Sequence, residues 1–321
     1  ENIEDAGYTG LELADLKTLR DHGENGEYIT VLRKHGYDNL SAREVKRMRD
    51  HGVSEDFIEE LADQGYTDLS ADEIVRMRDH GVDPYYIISM NESGYEEVSP
   101  QMLVKMRDHG VDGDYVEELI NIGYSDISVD GLIKMRDHGV DPYFIKSMTE
   151  AGFDKVHPDM LIKLRDHGVD GAYVKAMKEY GYAKLHPEEF IRLRDHGVDP
   201  MYILDLSENG LDKLRAEEVI KLRDHGVDGS YITSILKSGL IVSDPATLIR
   251  LRDHGVDGSY IGDLIEIGYD DLAADDYITL RDYGVDVDFI ESIKDSEDEL
   301  PSVTQLRRLK GQGASRRVVW E

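Results

Sequence analysis

Adjacent aspartate and histidine are the side chains from which general bases and metal sites are built. This chain carries them at a fixed spacing. Arg-Asp-His-Gly stands at Arg20–Gly23, Arg49–Gly52, Arg78–Gly81, Arg107–Gly110, Arg136–Gly139, Arg165–Gly168, Arg194–Gly197, Arg223–Gly226 and Arg252–Gly255, each copy 29 residues after the last. A further copy reads Arg281-Asp282-Tyr283-Gly284, and another has decayed to Lys310-Gly311-Gln312-Gly313. A metal ladder fails on distance. Stacked helical units lie about 10 Å apart, whereas zinc ligands must come within about 2.1 Å of one ion. Histidines one period apart therefore cannot share a zinc, and a single His with a single Asp leaves it under-ligated. A feature present at every period is architecture, so function is sought in what varies.

The elements that carry the string follow from one unit, Val82 to Gly110. Asp83-Pro84 predicts a helix start, with Asp capping free amides and Pro at the first helical position, where no donor is needed. Tyr86, Ile87 and Met90 form one apolar face, and Gly94 ends the helix. Ser99-Pro100 opens a second helix containing Leu103, Val104 and Met106, closed by Gly110. Two helices of about ten residues with a short link make an αα-hairpin. Ser41 with Glu44, Ser70 with Glu73 and Ser302 with Gln305 predict capping boxes.

The repeated string falls in the last turn of each second helix. Arg and His suit the negative end of the helix dipole, whereas Asp is disfavoured there. Arg107, Asp108 and His109, with Arg136, Asp137 and His138, are accordingly read as an inter-repeat clasp. The Asp partner is expected in the neighbouring unit, as an Arg–carboxylate bond or a cap on exposed amides.

The expected fold is an all-α, right-handed αα-hairpin solenoid (a superhelix) of about ten to eleven repeats. It is read as a single domain over 1–321: a partial repeat at 1–23, nine repeats over 24–284, a degenerate capping repeat at 285–313 and a tail at 314–321. One hairpin buries too little to be stable alone, so stability is shared between neighbours. A second regularity overlies the first. The loop position after Asp alternates as Pro84, Gly113, Pro142, Gly171, Pro200 and Gly229, breaking at Gly258, which marks a 58-residue double repeat.

The 37 basic and 68 acidic residues give a net charge of −31. Such a surface repels phosphate backbones and anionic membranes and suits cations, basic proteins or plain solubility. No cysteine is present, so thiol and disulfide chemistry are excluded. No apolar run suggests membrane insertion. The start at Glu1 reads as a processed or excised form, and localisation is open, leaning extracytoplasmic. Asp126 to Asp137 mimics a calcium loop, but it overlies a helix start at Ser128 and is read as a decoy. Weak surface binding of Ca²⁺ by the acidic loops is the only ion interaction expected, and no cofactor is. No nucleophile elbow, phosphate loop or zinc-protease motif occurs, so the chain is read as no enzyme.

The unit Gly-Val-Asp-Pro-x-Tyr-Ile, followed by Gly-Tyr-x-x-Leu-Ser and by Leu-Arg-Asp-His-Gly-Val, resembles helical repeats of bacterial proteins. There they follow membrane metallopeptidase domains of the beta-lactam-sensor type. The peptidase motif is missing here, so the resemblance brings no catalytic residue. The architecture is more loosely similar to tetratricopeptide-class solenoids, which implies protein binding. Three functions follow: a non-catalytic scaffold for protein–protein interaction, a head-to-tail filament or surface layer, or a sensory segment of a larger membrane-anchored protein. For self-assembly, the basic end with Arg307, Arg308, Arg316, Arg317 and Trp320 would meet the acidic start.

Overall fold

The structure is a computed structural model that describes residues 17, 26–242, 244–293 and 300–313. Among these it is all α-helical, with no strand, and its consecutive helix pairs form an αα-hairpin solenoid. The chain divides into two compact units, Glu1–Arg165 and Asp166–Glu321.

The first unit holds α1 Gly26–Lys34, α2 Ala42–Asp50, α3 Glu55–Asp63, α4 Ala71–Asp79, α5 Pro84–Glu92, α6 Pro100–Asp108, α7 Gly113–Asn121, α8 Val129–Asp137 and α9 Pro142–Glu150, and the unit boundary falls at the end of α10 Pro158–Asp166. The second holds α11 Gly171–Met177, α12 Pro187–Asp195, α13 Pro200–Glu208, α14 Ala216–Asp224, α15 Gly229–Lys237, α16 Pro245–Asp253, α17 Gly258–Glu266, α18 Ala274–Asp282, α19 Val287–Ile293 and α20 Val303–Gly311. Within each unit, odd-numbered helices pack on odd and even on even. These are the first and second helices of successive hairpins.

Local chemistry sets the helix starts. The Asp83 carboxylate accepts from the Tyr86 amide at 2.9 Å, and the same bond recurs from Asp112 to Tyr115 at 2.9 Å and from Asp141 to Phe144 at 2.7 Å. Capping boxes form at Ser41/Glu44, Ser70/Glu73 and Ser302/Gln305, each satisfying two amides the helix cannot. Apolar residues then fill the space between the two layers. Tyr86, Ile87 and Met90 of α5 and Leu103, Val104 and Met106 of α6 are all buried.

One feature departs from the simple repeat. α11 is continued by a kinked turn, Lys178–Tyr182, in which Tyr180 at φ −87°, ψ 15° and Gly181 at φ 103° leave helical geometry. In the link between first and second helices, Asp68, Glu97, Asp126, Lys155 and Lys213 hold one position of the 29-residue frame and adopt positive φ, a conformation Asp tolerates and Glu and Lys disfavour. No described helix is long and apolar enough to cross a membrane.

Candidate functional site

The repeated string is the end of a Schellman motif, and each of its residues has a place in it. At the end of α6, the Gly110 amide donates to the Arg107 carbonyl at 3.1 Å and the Val111 amide donates to the Met106 carbonyl at 2.9 Å. His109 is the C-cap, and Gly110 takes the left-handed turn at φ 67°, which a Cβ would oppose. Val111 is fully buried, as are its equivalents Val82, Val140, Val198 and Val256. Each joint thus drives one valine into the layer below and satisfies the carbonyls that a helix end leaves open.

The Arg of each string packs on an aromatic ring of its own hairpin. Arg107 lies 4.9 Å from the Tyr86 ring centroid and Arg136 lies 4.7 Å from that of Tyr115. The same contact recurs at Arg49, Arg78, Arg165, Arg194, Arg223, Arg252 and Arg281. From the same position Arg78 donates through Nε to the Gly52 carbonyl of the preceding joint at 3.0 Å. One guanidinium therefore ties an aromatic ring to the turn before it.

The Asp and His form the second tie. His109 Nδ1 lies 2.6 Å from Asp137 Oδ1, one repeat on, and His80 makes the same contact to Asp108 at 2.6 Å. Equivalent pairs join His51 to Asp79, His167 to Asp195, His196 to Asp224, His225 to Asp253 and His254 to Asp282. An ionised carboxylate only accepts, so Nδ1 carries the proton. The carboxylate at the negative end of its helix thus meets a donor at the end of the preceding second helix. The partner lies in the neighbouring unit, as the sequence predicts, but it is neither the Arg nor the exposed amides expected there. Histidine takes that place because the Arg side chain is already held over the aromatic ring.

A third tie lies in the core. The phenol of Tyr115 donates to the Val140 carbonyl at 2.8 Å, and Tyr86, Tyr173, Tyr202, Tyr231 and Tyr260 do the same 25 residues on. Burial pushes the pKa of these phenols well above the usual tyrosine value. Another row of tyrosines, including Tyr66 and Tyr124, donates to carbonyls 32 residues away.

The Pro/Gly alternation has a steric meaning. A Cβ on Gly113 would stand 2.6 Å from the Ser89 carbonyl oxygen, and one on Gly258 would stand 2.0 Å from that of Ser234. Glycine at the helix start lets that first helix touch the backbone of the one before it. At Gly229 the obstacle is the Asp205 carboxylate, which itself accepts from the Gly229 amide at 2.8 Å.

The residue after the proline or glycine faces solvent. It is Tyr85, Tyr143 or Met201 in the Pro repeats, exposed by 77%, 82% and 69%. In the Gly repeats the same place holds Asp114, Ala172, Ser230 or Ser259. Large apolar side chains left in water at this position follow the 58-residue double repeat, which the 29-residue frame alone does not explain. The signal was legible, since Tyr85 aligns with Asp114, a residue typical of a surface.

At the basic end, Arg307 lies 5.7 Å from the Tyr283 ring centroid and Lys310 lies 4.1 Å from that of Phe289. Lys310 thus occupies the place of Arg in the decayed string. Arg308 sits in the last turn of α20, and Arg316, Arg317 and Trp320 lie outside the described residues. His138 is the C-cap of α8. In the calcium-loop mimic, Ser128 caps α8 by accepting from the Gly131 amide at 3.1 Å. No group of three His, Cys, Asp or Glu able to hold a metal occurs among the described residues. No family model matches the chain, and no curated protein matches it significantly.

Proposed function

We propose that the chain is a non-catalytic helical-repeat scaffold that mediates protein–protein interaction. The observation that carries this reading is the pair of exposed tyrosines, Tyr85 and Tyr143, on first helices of the first unit, with Met201 exposed at the same repeat position in the second. Solvent-facing aromatics on a rigid helical frame are the anchors that partner proteins use. The side chains with catalytic chemistry, Asp and His of the repeated string, are engaged with each other between repeats, which supports a holding role for them.

The test is affinity purification with the full chain and with its Tyr85→Ser/Tyr143→Ser variant as baits. A partner retained by the first and lost by the second supports the scaffold. Equal recovery on both baits, or no recovery on either, refutes it.

A further inference from the structure

Over α4 to α9 the charge on the first unit is sorted by layer. α4, α6 and α8 carry six carboxylates and six cations. Exposed rungs such as Lys105 to Asp130 and Lys134 to Asp159 join them along that face. The first helices α5, α7 and α9 are different: together they carry five carboxylates and one cation, Lys146. Tyr85 and Tyr143 stand out from this layer, and between them α7 presents Asp114, Glu117 and Glu118 to solvent.

We propose that this face binds a basic, extended polypeptide segment whose Arg or Lys side chains stack on Tyr85 and Tyr143 while their neighbours meet the carboxylates of α7. The inference rests on the scaffold reading and names the partner's chemistry. Charge complementarity selects the occupant, because an acidic or neutral segment gains nothing from five carboxylates against one cation. The tyrosines select the mode, since a cation over an aromatic ring is attracted by its quadrupole. The repeated Arg-on-Tyr contact inside the fold, such as Arg107 over Tyr86 at 4.9 Å, is the same interaction made within the chain. The spacing sets a length. The two tyrosines are two repeats apart, roughly 20 Å at helix-packing distance, which an extended chain covers in about six residues.

The test uses the full chain and fluorescein-labelled peptides bearing two Arg pairs separated by two, six or twelve Gly/Ser residues, read by fluorescence anisotropy at physiological salt. The six-residue spacer is expected to bind tightest. Tyr85→Ser/Tyr143→Ser is expected to weaken it about tenfold, from the loss of two cation–π contacts. Asp114→Lys/Glu117→Lys/Glu118→Lys is expected to weaken it at least as much. Asp72→Lys/Asp130→Lys/Asp159→Lys has the same net charge on the other layer and is expected to change affinity less than threefold. Equal losses from the two charge reversals, no dependence on spacer, or full binding without the tyrosines would each overturn the proposal. Capture of an acidic or neutral partner by the same tyrosines, with no binding of the Arg peptides, would overturn it while leaving the scaffold reading standing.

Discussion

Two glycines four residues apart in α17 should respond oppositely to the same substitution. Gly258 opens the helix, and a Cβ there would stand 2.0 Å from the Ser234 carbonyl oxygen and 2.3 Å from its carbonyl carbon, both backbone atoms of α15. Ordinary contact begins near 3.4 Å, so Gly258→Ala must push the two helices apart by about 1.4 Å. Overpacking of that kind costs about 1–3 kcal/mol. Rigid backbone as the obstacle places this case at the upper end, near 3 kcal/mol. Gly262 lies inside the helix with nothing within 4 Å of its added Cβ. Gly262→Ala therefore gains only the helix propensity of alanine, about 0.5–1 kcal/mol. For a unit of this size each kcal/mol moves the melting temperature by roughly 2–4 °C. Thermal melts followed by circular dichroism should show Gly258→Ala falling by roughly 6–12 °C and Gly262→Ala rising by roughly 1–4 °C. If Gly258→Ala were neutral or stabilising, the close approach of α17 to α15 would not exist.

Three further outcomes follow from the ties between repeats. Tyr115→Phe removes the phenol that donates to the Val140 carbonyl, and should cost about 1 kcal/mol in denaturant unfolding; no loss would mean that water replaces the bond. A double-mutant cycle of His109→Ala and Asp137→Ala should give a coupling of about 0.2–1 kcal/mol, reduced by salt, because both side chains are about two-fifths exposed. Strict additivity at low salt would show that the contact is not energetic. Alkaline titration should unfold the chain cooperatively. Burial raises the phenols of Tyr115 and Tyr202, and that of Tyr269 to about 12, whereas unfolded tyrosine ionises near 10. A raised folded pKa gives stability that is complete below about pH 10 and is lost as pH climbs toward the folded values. Tyrosinate absorbance and loss of helix signal should therefore rise together, and ionisation of all tyrosines with helices intact would refute the buried phenol bonds.

The helices, their caps and the hairpin pairing were legible because each rests on neighbours within a few residues. Asp83 and Pro84 announce α5, and Ser41 with Glu44 announces α2. The partner of Asp137 was not, since a pairing with His109 depends on the offset between stacked helices, which no local pattern encodes. The left-handed residues Glu97, Lys155 and Lys213 were hidden too, because Glu and Lys stand where glycine, asparagine or aspartate would have signalled the turn. Exposure of Tyr85 could have been read from the column it shares with Asp114 and Ser230. Tyr86 beside it has the same side chain and fills the core.

The glycine contact also fixes the step by which such a chain can change length. Removing one period would set Pro-type helices side by side, or bring a glycine against a neighbour shaped for proline. Removing two, for example residues 82–139, joins Gly81 to Val140 and restores every contact class, since Val140 and Pro142 repeat Val82 and Pro84. Lineages of this protein should therefore gain or lose repeats in pairs, and even-step deletions should refold where odd-step deletions falter. Gly229 followed by Gly258 would then be the seam left by one odd step.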